Sequence, residues 1–167
     1  MSIAICFVII VSIAAAIADI LKKKIDITIP IAIISIVLVI YPFGFFQKLS
    51  LGVWTVCAIS FSAICYLIVK LILSIKNKKF KEFIQKLLTP GIVVYLLFWL
   101  IFTFINKWRM LTGWDEFSHW GLIIKNMFIF DSYATNPQTI AWFRGYPPFT
   151  AIFEYFFLRT NIKSGFP

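Results

Sequence analysis

Four stretches of this chain are apolar for long enough to cross a bilayer, and that leaves few choices for the fold. They cover about residues 3–21, 27–46, 51–75 and 88–105. A helix needs about 20 apolar residues to cross the hydrocarbon core. Inside lipid the backbone N–H and C=O groups must be satisfied within the segment, so an unbroken run of this length reads as a helix even where isoleucine and valine dominate, as in the second run. With 61% hydrophobic and 14% charged residues, the chain is far more apolar than a soluble domain, in which roughly half the residues are apolar and about a quarter charged. The expected class is an all-α integral membrane protein with about four transmembrane helices in residues 1–105.

The polar residues punctuate these runs. Lys22, Lys23 and Lys24 follow the first run at once. A secretory signal peptide carries its charge before the apolar stretch, so despite the small residues Ala14, Ala15, Ala16 and Ala18 the run reads as a retained span. Pro30 falls in the first turn of the second run, where a missing N–H does little harm, and Pro42 and Gly44 are expected to end it. Lys70 sits near the inner end of the third run and is expected to snorkel toward headgroups. Between the third and fourth runs, Phe80, Phe83, Ile84 and Leu87 recur at helical spacing among lysines, which describes a short basic helix on the inner leaflet. Pro90 and Gly91 open the fourth run.

Charge sets the orientation. Eight lysines (Lys22, Lys23, Lys24, Lys76, Lys78, Lys79, Lys81 and Lys86) fall in two short loops, against Lys48 alone in the loop between them. The positive-inside rule then puts the N-terminus outside the cell membrane and makes 106–146 an extracytoplasmic loop. The net charge of +9 is explained by these flanking lysines, and no basic stripe with base-stacking aromatics points to nucleic acid. Cys6, Cys57 and Cys65 lie inside apolar runs without pairing motifs and read as small core residues.

Within the outer loop, Phe117, Trp120, Ile124, Met127 and Phe128 share one helical face. Ser118, His119, Lys125 and Asn126 lie nearer the other, which predicts an interfacial amphipathic helix. The segment from Asp131 to Thr139 is turn-like. Residues 147–167 begin a fifth membrane segment, Phe149 to Leu158, that is interrupted by Glu154 and too short to cross. With no completed bundle after it, the chain reads as the front of a longer protein.

Chemistry concentrates in Lys107–Gly121, which holds the single histidine, the adjacent acids Asp115 and Glu116, and three of the six tryptophans. Adjacent acids on a helix point about 100° apart, so they cannot face one substrate as a pair. Thr112 and Asp115 have capping-box spacing, and a carboxylate held at a helix N-terminus stays ionised, so capping and catalysis are compatible roles. His119 shares a helical face with either acid and reads as their partner, because a metal site would need a third ligand that does not follow at ligand spacing. Trp108, Trp114 and Trp120 suit either an aromatic belt or sugar stacking. Lys125, Arg144 and Tyr146 suit either a lipid phosphate or ordinary headgroup contact.

The constellation Trp114-Asp115-Glu116-Phe117-Ser118-His119-Trp120-Gly121, Lys125-Asn126-Met127, Gly145-Tyr146-Pro147-Pro148-Phe149 and Tyr155-Phe156-Phe157 resembles bacterial multi-span glycosyltransferases of the GT-C class. It is similar to the dolichyl-phosphate-mannose-type protein mannosyltransferases, over about residues 106–158. The resemblance implies the N-terminal part of an inverting enzyme that moves a sugar from a polyprenyl-phosphate carrier to a glycan or protein acceptor outside the cytoplasm. The fourth span here would stand where the family's first span stands. Asp115 would be the base on the acceptor hydroxyl, and Glu116 its substitute or a contact to acceptor or metal. Lys125, Arg144 and Tyr146 would hold the donor phosphate, with His119, Trp114 and Trp120 also lining the substrate site. A divalent cation has a place in such a site, but nothing in the residues requires one.

Two rivals remain. The first is a non-enzymatic membrane subunit or assembly factor that binds a partner through the aromatic outer loop. The second is a small transporter, which is the weakest reading because Asp19, Asp26 and Lys70 all lie near span ends.

Overall fold

The computed structural model describes residues 2–106, 120–141, 144–145 and 148–160. The regular elements among them are helices: α1 (Ser2–Leu21), α2 (Ile25–Phe45), α3 (Leu49–Lys76), α4 (Phe80–Leu87), α5 (Pro90–Asn106), α6 (Gly121–Phe130) and α7 (Phe149–Thr160). Three segments, Ala4–Leu21, Ile25–Phe45 and Leu49–Lys76, are long and apolar enough to cross a membrane, and α4 with α5 makes a fourth if that pair, bent by 45°, is one span. The chain is an all-α, multi-pass membrane protein.

The three long helices end alike. Lys22, Gln47 and Lys78 take left-handed φ values of 54°, 54° and 57°. The following N–H then reaches back five residues: Lys23 to the Ala18 carbonyl at 2.9 Å, Lys48 to Phe43 at 3.0 Å and Lys79 to Ser74 at 2.8 Å. This Schellman closure satisfies carbonyls left over at a helix end and usually recruits glycine. Here polar side chains hold the left-handed position instead, at roughly 1 kcal/mol each, and every long helix ends in a polar turn. The expectation that Pro42 and Gly44 would end α2 is corrected, because the helix runs through both to Phe45. So near the C-terminus, Pro42 forfeits a single ladder bond.

The break between α4 and α5 follows local chemistry. The Thr89 hydroxyl accepts the Ile92 N–H at 3.3 Å, and Pro90 takes the first helical position, where its missing N–H was unpaired anyway. No residue of α4 is buried, consistent with a surface segment.

The chain forms two compact units, 9–34 with 58–110 and 1–8 with 35–57 and 111–167. In the first, α1 buries Ala14, Ala15, Ala16 and Ala18, small residues that let helix backbones approach closely in lipid. Ser12 and Ser60 share a buried hydrogen bond of 2.8 Å, and the Thr28 hydroxyl donates to the Ala14 carbonyl at 2.8 Å. The Asp19 carboxylate accepts from the Tyr66 hydroxyl at 2.7 Å and pairs with Lys70 at 3.2 Å. Lys70 therefore does more than snorkel: its amine reaches back to an acid on α1.

In the second unit α6 and α7 pack against each other. α7 buries Ala151, Ile152, Tyr155, Phe156 and Thr160, residues that recur on one helical face. Its 12 described residues span about 18 Å against the roughly 30 Å of a hydrocarbon core. α6 buries Ile123, Ile124, Asn126 and Met127. Ile124 and Met127 fall on the apolar face as expected, but Asn126 is corrected from the polar to the buried side. There its side-chain amide donates to the Leu122 carbonyl at 2.7 Å, which removes the cost of burying it.

Candidate functional site

The second unit is knotted at Asp131, the residue that closes α6. It has left-handed dihedrals, φ 51° and ψ 28°, a conformation that asparagine and aspartate tolerate better than most side chains. That turn aims its carboxylate at the first turn of α3. Asp131 Oδ1 accepts the Ser50 N–H at 2.7 Å, Oδ2 accepts the Ser50 hydroxyl at 2.5 Å, and the Asp131 carbonyl accepts the Leu49 N–H at 3.0 Å. Two of the four N–H groups left unpaired at a helix start are thus satisfied by one residue 81 positions away, with a negative charge at the positive end of the helix dipole. Tyr155, fully buried on α7, donates its hydroxyl to the same Oδ1 at 2.6 Å.

Two residues on, Tyr133 ties the loop to the end of α2. Its hydroxyl donates to the Tyr41 carbonyl, and its ring packs against Tyr41 and Phe45 at centroid distances of 5.6 and 5.4 Å. The ring sits on the backbone of Gly44, where an added Cβ would fall 2.2 Å from Tyr133 Cζ. Gly44 thus serves close approach and does not terminate the helix. Burial, with Tyr41 beside it, pushes the Tyr133 phenol above its ordinary value. Burial, followed by the bond to Asp131, does the same to Tyr155. Neither tyrosine belongs to a long span, and both remain neutral donors near physiological pH.

Against this frame lies a cavity of about 240 Å³, lined among others by Tyr41, Phe45, Trp120, Tyr133, Arg144 and Pro148. Aromatic and apolar walls dominate, and among the described residues Arg144 is the one charged residue in the lining. Its guanidinium is steadied by loop carbonyls, Nε to Ala141 at 3.3 Å and Nη1 to Pro137 at 3.4 Å. Among the described residues these two bonds use two of its five N–H donors. The volume is slightly below the roughly 300–1,000 Å³ of pockets for drug-sized molecules and suits a headgroup-sized anion or a single ring.

The structure brings together two of the residues singled out from sequence, Trp120 and Arg144, in this lining. Lys125 is exposed on α6 and does not line the cavity. Trp114, Asp115, Glu116, His119 and Tyr146 lie outside the described residues. Among the described residues no three metal-binding side chains converge. Sequence reasoning missed Asp131, Tyr133 and Tyr155 as a group. An aspartate directly after an apolar helix was a visible signal for a left-handed closure, but nothing in the sequence names the helix start it would cap.

Fold and cavity together define a multi-pass helical membrane protein with an aromatic pocket that holds Arg144, built on its α6–α7 unit. No family model, no curated protein and no solved structure matches the chain.

Proposed function

We propose that this chain carries part of a membrane glycosyltransferase site, which transfers a sugar from a polyprenyl-phosphate carrier to an extracytoplasmic glycan or protein acceptor. The observation that carries the reading is the 240 Å³ cavity that joins Trp120 to Arg144. An aromatic wall suits a sugar ring, and a guanidinium with free donors suits a phosphate. Trp120 directly follows His119 in the sequence, and Glu116 and Asp115 precede it by four and five positions, so the acids lie close in the chain to a residue of the cavity wall. In this reading Asp115 removes the acceptor hydroxyl proton, and Arg144 stabilises the charge that grows on the departing carrier phosphate. The lysine distribution supports an extracytoplasmic loop, with the N-terminus outside and the bilayer as both solvent and source of the carrier.

Transfer from polyprenyl-phosphate hexoses, assayed in membranes that hold the expressed protein, tests this. Asp115→Asn should cut the rate by about 10² to 10⁴, the range of general-base catalysis. Arg144→Gln should lower kcat/KM by roughly 10- to 100-fold for a lost charge-assisted bond. If Glu116→Gln is inactive and Asp115→Asn is not, the two acids exchange roles. If neither change matters, the enzyme reading fails. The second reading, a subunit that binds a partner through this loop, is favoured by the exposure of three large apolar side chains, Ile140 at 79%, Trp120 at 40% and Phe149 at 43%. It predicts that Ile140→Asp abolishes partner cross-linking without changing the helical content of the chain.

A further inference from the structure

A second and larger cavity lies elsewhere in the same unit and is not used by the sugar-transfer reading. It has a volume of about 470 Å³ and is lined by Ile5, Val53, Trp54, Cys57, Phe128, Arg159 and Thr160. Four of these residues belong to long apolar helices, Ile5 to α1 and Val53, Trp54 and Cys57 to α3. Ile5 and Trp54 are 46% and 63% exposed, so in a bilayer the cavity opens toward lipid. Val53 and Cys57 lie about 6 and 12 Å along α3 from its start at Leu49, by helical rise, which is the depth where headgroups give way to acyl chains.

Into this apolar setting α7 delivers one cation. The Arg159 guanidinium lies over the Phe128 ring, 5.0 Å from its centroid, and among the described residues no carboxylate pairs with it. The cation–π contact holds the group in place, and among the described residues no hydrogen bond or ion pair occupies its N–H fork. At the end of the same helix, Thr160 is fixed by a 2.7 Å hydrogen bond to Cys6 on α1, so the wall beside Arg159 is pinned. The cavity lies within the size range of pockets that bury a small ligand. A half-buried guanidinium beside an apolar chamber open to lipid is complementary to one chemistry, a phosphate attached to a hydrocarbon chain.

We propose that this cavity is a binding site for an anionic bilayer phospholipid, with the phosphate on Arg159 and an acyl chain against Trp54, Val53 and Ile5. The site is separate from the Arg144 cavity, and a membrane protein lacking transferase activity could still possess it. Its occupant comes from the bulk membrane and serves to hold α7 against α1 and α3.

Trp54 provides the readout. The protein is placed in phosphatidylcholine vesicles doped with dibrominated phosphatidylglycerol or, separately, dibrominated phosphatidylcholine. Quenching of Trp54 is taken as the difference between the wild type and Trp54→Phe. Phosphatidylglycerol should reach half-quenching at about a tenfold lower mole fraction, the scale of one charge-assisted bond. Arg159→Gln should erase that preference, and Arg159→Lys should keep part of it. Cys57→Leu, which fills the cavity and leaves the cation, should also erase it and decides the matter if Arg159→Gln does not fold. Equal quenching by the two lipids in the wild type, or a preference that survives Arg159→Gln or Cys57→Leu, would overturn the proposal. Displacement of the brominated lipid by unlabelled polyprenyl phosphate at a tenth of its concentration would also overturn it, by reassigning the cavity to a carrier lipid.

Discussion

Replacing Asp131 by alanine takes three things away at once, and each has a magnitude. The start of α3 loses the carboxylate that accepts Ser50 N–H and Ser50 Oγ at 2.7 and 2.5 Å, a lost cap of about 1 kcal/mol. The Tyr155 hydroxyl, on a residue with no exposed surface, loses its 2.6 Å acceptor, which costs about 1–3 kcal/mol for a buried donor left unpaired. Alanine must also hold φ at 51°, a further cost of about 1 kcal/mol. The total is roughly 3–5 kcal/mol. Asp131→Asn keeps the left-handed turn and one acceptor oxygen, and should lose only about 1 kcal/mol. Unfolding in mixed micelles, followed by helical circular dichroism, measures both. A double-mutant cycle with Tyr155→Phe should return a coupling of about 0.5–3 kcal/mol. If Asp131→Ala unfolds within about 0.5 kcal/mol of the parent, the size of an ordinary surface change, Asp131 is no hub and the reasoning fails.

Two further outcomes follow from Tyr133 and Tyr155. Gly44→Ala should destabilise by about 1–3 kcal/mol despite alanine's better helix propensity, because its Cβ meets the Tyr133 ring, and Tyr133→Ala in the same chain should recover most of the loss. In alkaline titration read by phenolate absorbance, Tyr133 and Tyr155 should ionise after ordinary tyrosines, since both phenols are pushed upward. A phenol raised in the folded state binds its proton more tightly there than in the unfolded chain. Its stabilisation is therefore complete below the ordinary value of about 10 and is lost as pH rises beyond it. Tyr155→Phe should flatten that slope, and a slope unchanged in this variant would contradict the assignment.

What could be read from the sequence follows from how local the cause is. The spans at Ala4–Leu21, Ile25–Phe45 and Leu49–Lys76 were legible because apolar length alone dictates a helix in lipid. Pro90 at the start of α5 was legible because Pro at a first helical position acts within one turn. Gly44 and Pro42 misled because a glycine that admits a distant ring looks the same in sequence as one that ends a helix. Lys70 was legible only as a charge near a span end, because its partner Asp19 lies 51 positions away on another helix. Asn126 had no visible reason to be buried, because the acceptor that satisfies its amide is a carbonyl of its own helix. In the candidate site, Arg144 and Trp120 were chosen for their chemistry and do share a cavity. Asp131 was legible as a turn and illegible as a cap.

Orientation is the premise on which the function rests, and one labelling experiment tests it directly. With Cys6, Cys57 and Cys65 replaced, a single cysteine is placed either at Ser118, in the acid loop, or at Asn77, in the lysine-rich turn after α3. Intact cells are then treated with a membrane-impermeant thiol reagent. The account predicts that the Ser118→Cys protein is labelled from outside and the Asn77→Cys protein only after the membrane is opened. The opposite pattern would put the acids and the Arg144 cavity on the cytoplasmic side and contradict sugar transfer to an extracytoplasmic acceptor.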